Sequence, residues 1–227
     1  IKCWTALQNR YNKAIIRLKK KVNNLGPKKI SLIDCSLFWN RIKKYYSNNW
    51  RGKYSSDGGV LTNQAIHLLD SLIYIFGEIE NFNVMVDFNE KKLQAEDQVL
   101  INFRHKNNII SSFKATTRAN QNYQVSIDVI GHNSRFKVRG VSLNLFLNFY
   151  KNDFYIDKKN SEQFSTKAGT QGGMGNGHIK ILKEFLNQKK KKSSKKIEID
   201  KNYYVLKTIH SIYNASKKNN FKVKDKQ

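Results

Sequence analysis

Acidic side chains are scarce in this chain: 17 aspartates and glutamates stand against 42 lysines and arginines, a formal net charge of +25 over 227 residues. Proline occurs once, while lysine, asparagine and isoleucine are abundant, a pattern that speaks for compositional bias of the source genome as much as for a polyanionic partner. The lysines are dispersed over predicted solvent faces, and their main cluster, Lys189 to Lys192 with Lys195 and Lys196, reads as a solvated loop between a helix end and a strand. No RNA- or DNA-binding module is recognisable, so nucleic acid is not an expected partner. A positive field would still speed the approach of an anionic small molecule. Cysteine is equally thin. Cys3 and Cys35 are too few and too isolated for a disulfide framework or a zinc site, and the expectation is two buried free thiols in a reducing cytoplasm. The five histidines, His67, His105, His132, His178 and His210, show neither HxxxH nor HExxH spacing, which speaks against a metal centre. Long hydrophobic runs are missing too: Val99 to Phe103 is far short of the roughly 20 residues of a membrane span. The chain opens at Ile1 with no initiator methionine, basic n-region or secretory apolar segment, and the expectation is that an N-terminal portion of the parent protein is missing.

What is present supports a folded core. Aromatic residues make up 12% and hydrophobic residues 39%, which argues against disorder. The length suits one substantial domain, or one domain with part of another. Lys2 to Leu7 reads as a short strand, Tyr11 to Asn24 as a helix stopped by Leu25-Gly26-Pro27, and Ile30 to Trp39 as a long strand. Tyr45 to Gly59 is a polar, aromatic loop able to wrap over a ligand, and Leu61 to Phe76 is the next helix. From Ile79 to Ile156 the period changes to two, with strands predicted at Phe82–Val86, Asp97–Phe103, Ile109–Thr117, Tyr123–Ile130, Ser134–Val138 and Leu143–Phe149. A loop from Lys158 to Gly177 and helices at Met174–Gln188 and Tyr203–Lys217 complete the chain. Successive strands joined by short turns make a mostly antiparallel sheet. The expected fold class is therefore α+β: an open sheet with helices packed on one face.

Two features invite a chemical reading. Gly172-Gly173-Met174-Gly175-Asn176-Gly177 precedes a helix, but it lacks GxGxxG spacing, follows no strand and has no acidic residue about 20 positions on, so it is not a dinucleotide fingerprint. Asn63 and His67 stand four apart after the turn Asp57-Gly58-Gly59, at a spacing that places both on one face of the predicted helix. Leu61, Ala65, Leu68, Leu69 and Leu72 would bury the other side. A rigidly held imidazole beside an amide suits proton abstraction from a hydroxyl; the competing reading is a histidine satisfied within the core. Arg10 and Arg51 are candidates for anion recognition through their guanidinium forks, or else ordinary surface arginines. Trp50 reads as an anchor for its loop, and Asp70 could orient His67 or cap a neighbouring element.

The stretch Gly58 to Asp70 resembles the substrate-domain signature of the Gfo/Idh/MocA family, in which a glycine pair precedes an acid or amide, three residues and a catalytic histidine. Gln8-Asn9-Arg10-Tyr11-Asn12 resembles the segment leaving the last strand of that family's nucleotide domain, and Gly77-Glu78-Ile79-Glu80 the step into its large sheet. Gly175-Asn176-Gly177-His178 is similar to its late glycine-histidine helix start. Order and spacing agree over almost the whole chain. Together, Gln-Asn-Arg-Tyr-Asn, Trp-Arg-Gly and Asn-Gln-x-x-His most resemble the branch made up of UDP-N-acetylglucosamine and UDP-N-acetylglucosaminuronic acid 3-dehydrogenases. One departure is informative: the broader family usually has aspartate where this chain has Asn63, so His67 lacks a charged partner there.

The resemblance implies that residues 1–10 are the last strand of a missing Rossmann domain and residues 11–227 a substrate-binding and oligomerisation domain. It further implies NAD or NADP as cofactor, an anionic sugar or nucleotide-sugar substrate, and His67 and Asn63 as the catalytic pair, with His67 removing the proton of a sugar hydroxyl at C3. Arg10 and Arg51 would hold the anionic portion, with Tyr11, Asn12, Lys53 and Gln64 around the same cleft. His178 would contact ligand or cap its helix. The isolated chain is expected neither to bind NAD tightly nor to turn over. A homo-oligomer through the open sheet face, in the cytoplasm, follows from the same resemblance. The rival reading is a non-catalytic module for assembly or polyanion binding.

Overall fold

The computed structural model describes residues 5–41, 43–47, 50–88, 95–122, 124–162, 177–187 and 199–218. Cys3, the first half of the expected strand Lys2–Leu7, the loop residues 163–176 and the lysine cluster lie outside the described residues. Within them, Thr5 to Leu7 are not strand, and Gln8–Tyr11 form a 3-10 turn. Helix α1, Lys13–Leu25, follows; it buries Ala14, Ile15, Leu18 and Val22 and ends where Gly26 takes φ +78.

Eight strands make one sheet: β1 Ile30–Phe38, β2 Ile79–Asp87, β3 Gln98–His105, β4 Ile110–Thr116, β5 Gln124–Gly131, β6 Arg135–Arg139, β7 Leu145–Tyr150 and β8 Asp153–Ile156. Their order is β2-β3-β4-β1-β5-β6-β7-β8. Every neighbouring pair is antiparallel except β1 with β4, which run parallel because β1 enters between two hairpin systems. The period-two pattern explains the core. Register aligns Val84, Ile101, Phe113, Cys35, Ile127, Val138 and Phe146 in one row across seven strands, all on the face toward the helices. Phe113, Cys35, Ile127, Val138 and Phe146 in that row are fully buried, each large one contributing about 1.5–3 kcal/mol of apolar burial. The next row on the opposite face reads Met85, Leu100, Lys114, Ser36, Ser126 and Arg139, and Met85 is 71% exposed. β8 went unanticipated; it returns from β7 through Lys151 and Asn152, both at positive φ, the geometry of a two-residue hairpin turn.

The helix expected over Leu61–Phe76 is broken. Helix α2 spans Val60–Asn63 and α3 spans Ile66–Phe76. Between them the Val60 carbonyl accepts from both Gln64 N (3.1 Å) and Ala65 N (2.7 Å), a local widening that adds a residue to the turn. The four-residue spacing of Asn63 and His67 therefore does not carry the shared-face geometry of a regular helix. Helix α4, Gly177–Asn187, packs on the 3-10 turn, and α5, Ile199–Lys218, packs on β2 and α3. A methyl on Gly177 would stand 2.3 Å from the Gln8 carbonyl oxygen, so glycine is what lets α4 lie directly on the 3-10 turn.

Candidate active site

Two described histidines sit in the interior and differ in one respect. His105 is fully buried, and both ring nitrogens are satisfied: Nδ1 by the Gly77 carbonyl at 2.9 Å and Nε2 by Ser111 Oγ at 3.0 Å. It is a core histidine. His67 Nδ1 is buried with no hydrogen-bond partner. His67 also lines a hollow of about 60 Å³ with Gln8, Asn9, Gln64, Trp39 and Ser142, and Gln8 Oε1 is a second buried atom there without a partner. Buried polar atoms are normally paired, so two orphans at one hollow mark a place that expects a ligand. Desolvation, and then the charge of His178, push His67 down from 6.5 to about 4, which leaves a neutral imidazole at pH 7.

The walls come from distant segments. Arg10 gives its fork to Asp70, Nε to Oδ2 at 2.9 Å and a second bond to Oδ1, and its guanidinium carbon lies 5.0 Å from the Tyr74 ring centroid. The fork of Arg10 is thus engaged by Asp70, and it ties the 3-10 turn to α3. Asp70 likewise serves Arg10 rather than the His67 ring. Tyr11 donates its hydroxyl to Glu184 of α4. Asn12 is buried and donates to the carbonyl of Ser142, a residue of the wall, while the turn carrying Ser142 buries Leu143 at φ +55.

Asn63 donates to Asp57 Oδ2 at 2.7 Å, and Asp57 Oδ1 accepts from Gly52 N, so Asn63 braces the loop and Gln64 is the amide that joins His67 at the hollow. Gln64 also donates to Tyr45 Oη at 3.2 Å. Arg51 lies against Tyr45, 4.0 Å from the ring centroid, and the Lys53 carbonyl closes the turn to Ser56 and Gly58. His178, second residue of α4, approaches closely enough to act on His67.

Sequence reasoning missed Glu96. Its carbonyl accepts from Val60 N and its Oε1 from Leu61 N, so it caps α2, and Tyr213 of α5 donates to the same oxygen. Gly59 has no side chain because the Glu96 carboxyl and carbonyl occupy that space, 2.1 and 2.3 Å from where a methyl would stand. Burial pushes Glu96 up from 4.5 to about 7. No motif announces this residue, since its role arises from packing. Gln8 and Asn9 were visible within a motif but not singled out. Among the described residues no group of three or more His, Cys, Asp or Glu is placed to hold a metal, and no helix is long and apolar enough to cross a membrane.

Residues 19–137 match the family model of the GFO/IDH/MocA C-terminal domain, just over half of the chain, and the chain belongs to that family. No curated protein sequence matches it. Among solved structures, the WlbA dehydrogenase of Bordetella pertussis, crystallised with NADH and UDP-GlcNAcA, is 22% identical over 96% of this chain and 61% of its own, with a TM-score of 0.77. The WlbA dehydrogenase of Chromobacterium violaceum, with the same ligands, is 20% identical over 93% of this chain and 59% of its own, with a TM-score of 0.76. A levoglucosan dehydrogenase crystallised with NADH and levoglucosan gives 17%, 93%, 63% and 0.73. At these identities the likeness is one of fold, and the chain spans about three fifths of those proteins.

His67 and Glu96 oppose each other in pH dependence. Between about pH 4 and 6.5 the unfolded chain protonates His67 and the fold does not, so this contribution to stability grows as pH rises and is lost on acidification. Between 4.5 and about 7 the fold keeps the Glu96 proton that the unfolded chain has released, so that contribution is lost as pH rises. Each amounts to up to about 3 kcal/mol. Denaturant melts should show Glu96→Gln losing stability below pH 6.5 more steeply than the parent, and His67→Gln losing it above pH 4.5 more steeply. Identical profiles for all three proteins would contradict both assignments.

Proposed function

We propose that this chain is the substrate-binding domain of an NAD(P)-dependent dehydrogenase that oxidises a hydroxyl of an anionic sugar or nucleotide-sugar, C3 being the carbon oxidised, with His67 as general base. The observation that carries the reading is the unpartnered, neutral His67 at a hollow lined by amides. Family membership supports it, as do structural neighbours that are dehydrogenases crystallised with NADH and a sugar or sugar nucleotide. We assign residues 1–10 to the end of a nucleotide-binding domain and residues 11–227 to the substrate domain. The dinucleotide then belongs with the partner domain, and this chain alone should turn nothing over.

When bound, nicotinamide supplies the hydride acceptor. The amide set of Gln8, Asn9 and Gln64 suits hydroxyl groups. His67 receives the hydroxyl proton on an unprotonated ring nitrogen. Gln64, held by Tyr45, and Gln8 orient neighbouring hydroxyls. Asn63 acts at one remove, by bracing the loop through Asp57. A cytoplasmic setting accords with the free, buried Cys35.

In the intact enzyme, His67→Ala should lower kcat by about 100- to 10,000-fold with the fold retained. Because His67 titrates near 4, kcat/KM should stay level down to about pH 5 and fall only below it. An acid limb centred at 6.5, or unchanged turnover in the variant, would exclude His67 as base.

The open sheet face completes the proposal as a homo-oligomer surface. Met85 and Leu100 are cross-strand neighbours at 71% and 40% exposure, and Ile110 and Leu32 are exposed farther along the same face. Light scattering should report an oligomer for the parent and a monomer for Met85→Glu with Leu100→Glu; a monomeric parent would remove this face from the account.

A further inference from the structure

A short loop, Gly52 to Gly58, precedes α2 and carries a glycine at positive φ at each end, +72 and +69. Paired glycines of this kind let the residues between them swing as a unit. Three ties hold the loop down. The Gly52 carbonyl accepts from Ala95 N at 3.1 Å. Asp57 accepts from two side chains of α2, Thr62 Oγ1 at its carbonyl (3.0 Å) and Asn63 Nδ2 at its carboxylate (2.7 Å). The Tyr54 ring meets the Tyr213 ring of α5 edge to face, with centroids 5.1 Å apart.

All three ties converge on Glu96. Ala95 is its chain neighbour, α2 starts on its carbonyl through Val60 N (2.7 Å) and on its Oε1 through Leu61 N (3.0 Å), and Tyr213 donates to the same Oε1 at 3.1 Å. What faces the carboxyl is polar but not cationic: Tyr54 from the loop, Leu61 N from α2, Tyr213 from α5 and Asp97 from its own segment. Arg118 is occupied with Asp97, at 2.6 Å, and no lysine, arginine or histidine is paired with Glu96 among the described residues. Burial, and then the charge of Glu96, push Tyr54 up to about 12 and Tyr213 upward as well, so both remain phenols near neutral pH.

As a neutral acid, Glu96 is tolerated at 1% exposure; as a carboxylate it is a buried charge without a counter-ion, which is costly until water reaches it. The buried Val60 and Leu61 hold α2, and the buried Ile209 and Ile212 hold α5, whereas Tyr54 is an exposed residue between two hinges. Lifting the loop therefore admits water at the least cost in packing.

We propose that Glu96 is a positioning residue: as the neutral acid it latches the Gly52–Gly58 loop onto α2 and α5, and it gives up its proton when the loop opens. Closed, the loop holds Asn63 through Asp57, and with it the widened turn that presents Gln64 and His67. The consequence for His67 rests on the dehydrogenase reading; the latch does not. Closed, Glu96 keeps its proton up to about pH 7, and open and solvated it releases it near 4.5. Opening thus becomes easier as pH rises between those values, by up to about tenfold per unit, and levels off above them.

Amide hydrogen exchange of the 227-residue chain, corrected for the intrinsic pH dependence of exchange, reads the opening constant at Ala95 and Leu61, whose amides are bonded to Gly52 and Glu96. In the parent it should rise by about 30- to 100-fold from pH 5 to 8. Glu96→Gln keeps the shape of the neutral acid and cannot ionise, so its constant should be flat. Tyr54→Ala, a change at an exposed side chain, should raise the constant most at low pH, where the latch is tightest. A Glu96 that only fills space would shift the constant in Glu96→Gln and leave its slope, and that result, or a parent constant independent of pH, would overturn the proposal. The ring nitrogens of His67, neutral above pH 5, should show a second, smaller step near 7 in the parent and none in Glu96→Gln; a step that persists in the variant would overturn the positioning role. Neither readout uses turnover. An intact parent enzyme that turns nothing over while the slope and the step are present would remove the dehydrogenase reading and leave the latch, whereas a flat profile with turnover intact would remove the latch alone.

Discussion

The buried ion pair between Arg10 and Asp70 joins two segments sixty residues apart and decides what faces the hollow. The pair is enclosed, with side-chain exposures of 9% and 1%, so most of its Coulombic gain is offset by desolvation and it contributes little net stability. Its effect is orientation. A bidentate guanidinium–carboxylate contact admits one register, and that register sets Gln8 and Asn9 opposite His67. Apolar side chains of similar volume would fill the same space without fixing the rotation of the 3-10 turn on α3. Asn12 and Gly177 reinforce the arrangement, one by holding the Ser142 wall and the other by admitting α4 onto the Gln8 backbone.

On that frame the domain carries two opposed electrostatic burdens. His67 is kept neutral by burial and by His178, while Glu96, capping α2 a few residues earlier, is pushed toward its protonated form. Both burdens come from placing polar groups inside a shell of leucines, and core packing offsets them. The fold can keep an unsatisfied imidazole because the sheet beneath it is a continuous apolar row from Val84 to Phe146. His105 shows the alternative, since in the same core an imidazole with both nitrogens bonded does nothing but join the end of α3, at Gly77, to Ser111 of β4.

Legibility in the sequence followed the range of the interactions. Alternation over Ile79 to Phe149 reads directly as strands because each side chain reports its own face. The order of the strands is another matter: the parallel insertion of β1 beside β4 depends on pairings that no local pattern encodes. The turn Lys151-Asn152 lacks the glycine that usually advertises a hairpin, so β8 was passed over. Helix formers run without interruption through Gln64 and Ala65, which hid the widened turn and made Asn63, rather than Gln64, look like the neighbour of His67. His67, Gln64 and His178 were found through resemblance, whereas the partnering of Arg10 with Asp70, of Tyr11 with Glu184 and of Glu96 with the start of α2 is tertiary and has no sequence signature.

The central claim is that His67 is a neutral, unsatisfied imidazole waiting for a hydroxyl, and ring-nitrogen NMR of the labelled protein tests it directly. Its nitrogens should titrate near 4, well below the ordinary 6.5, and should shift when UDP-GlcNAcA, the ligand of the WlbA crystals, is added. An ordinary titration at 6.5 with no response to that ligand would show a solvated imidazole and contradict the claim.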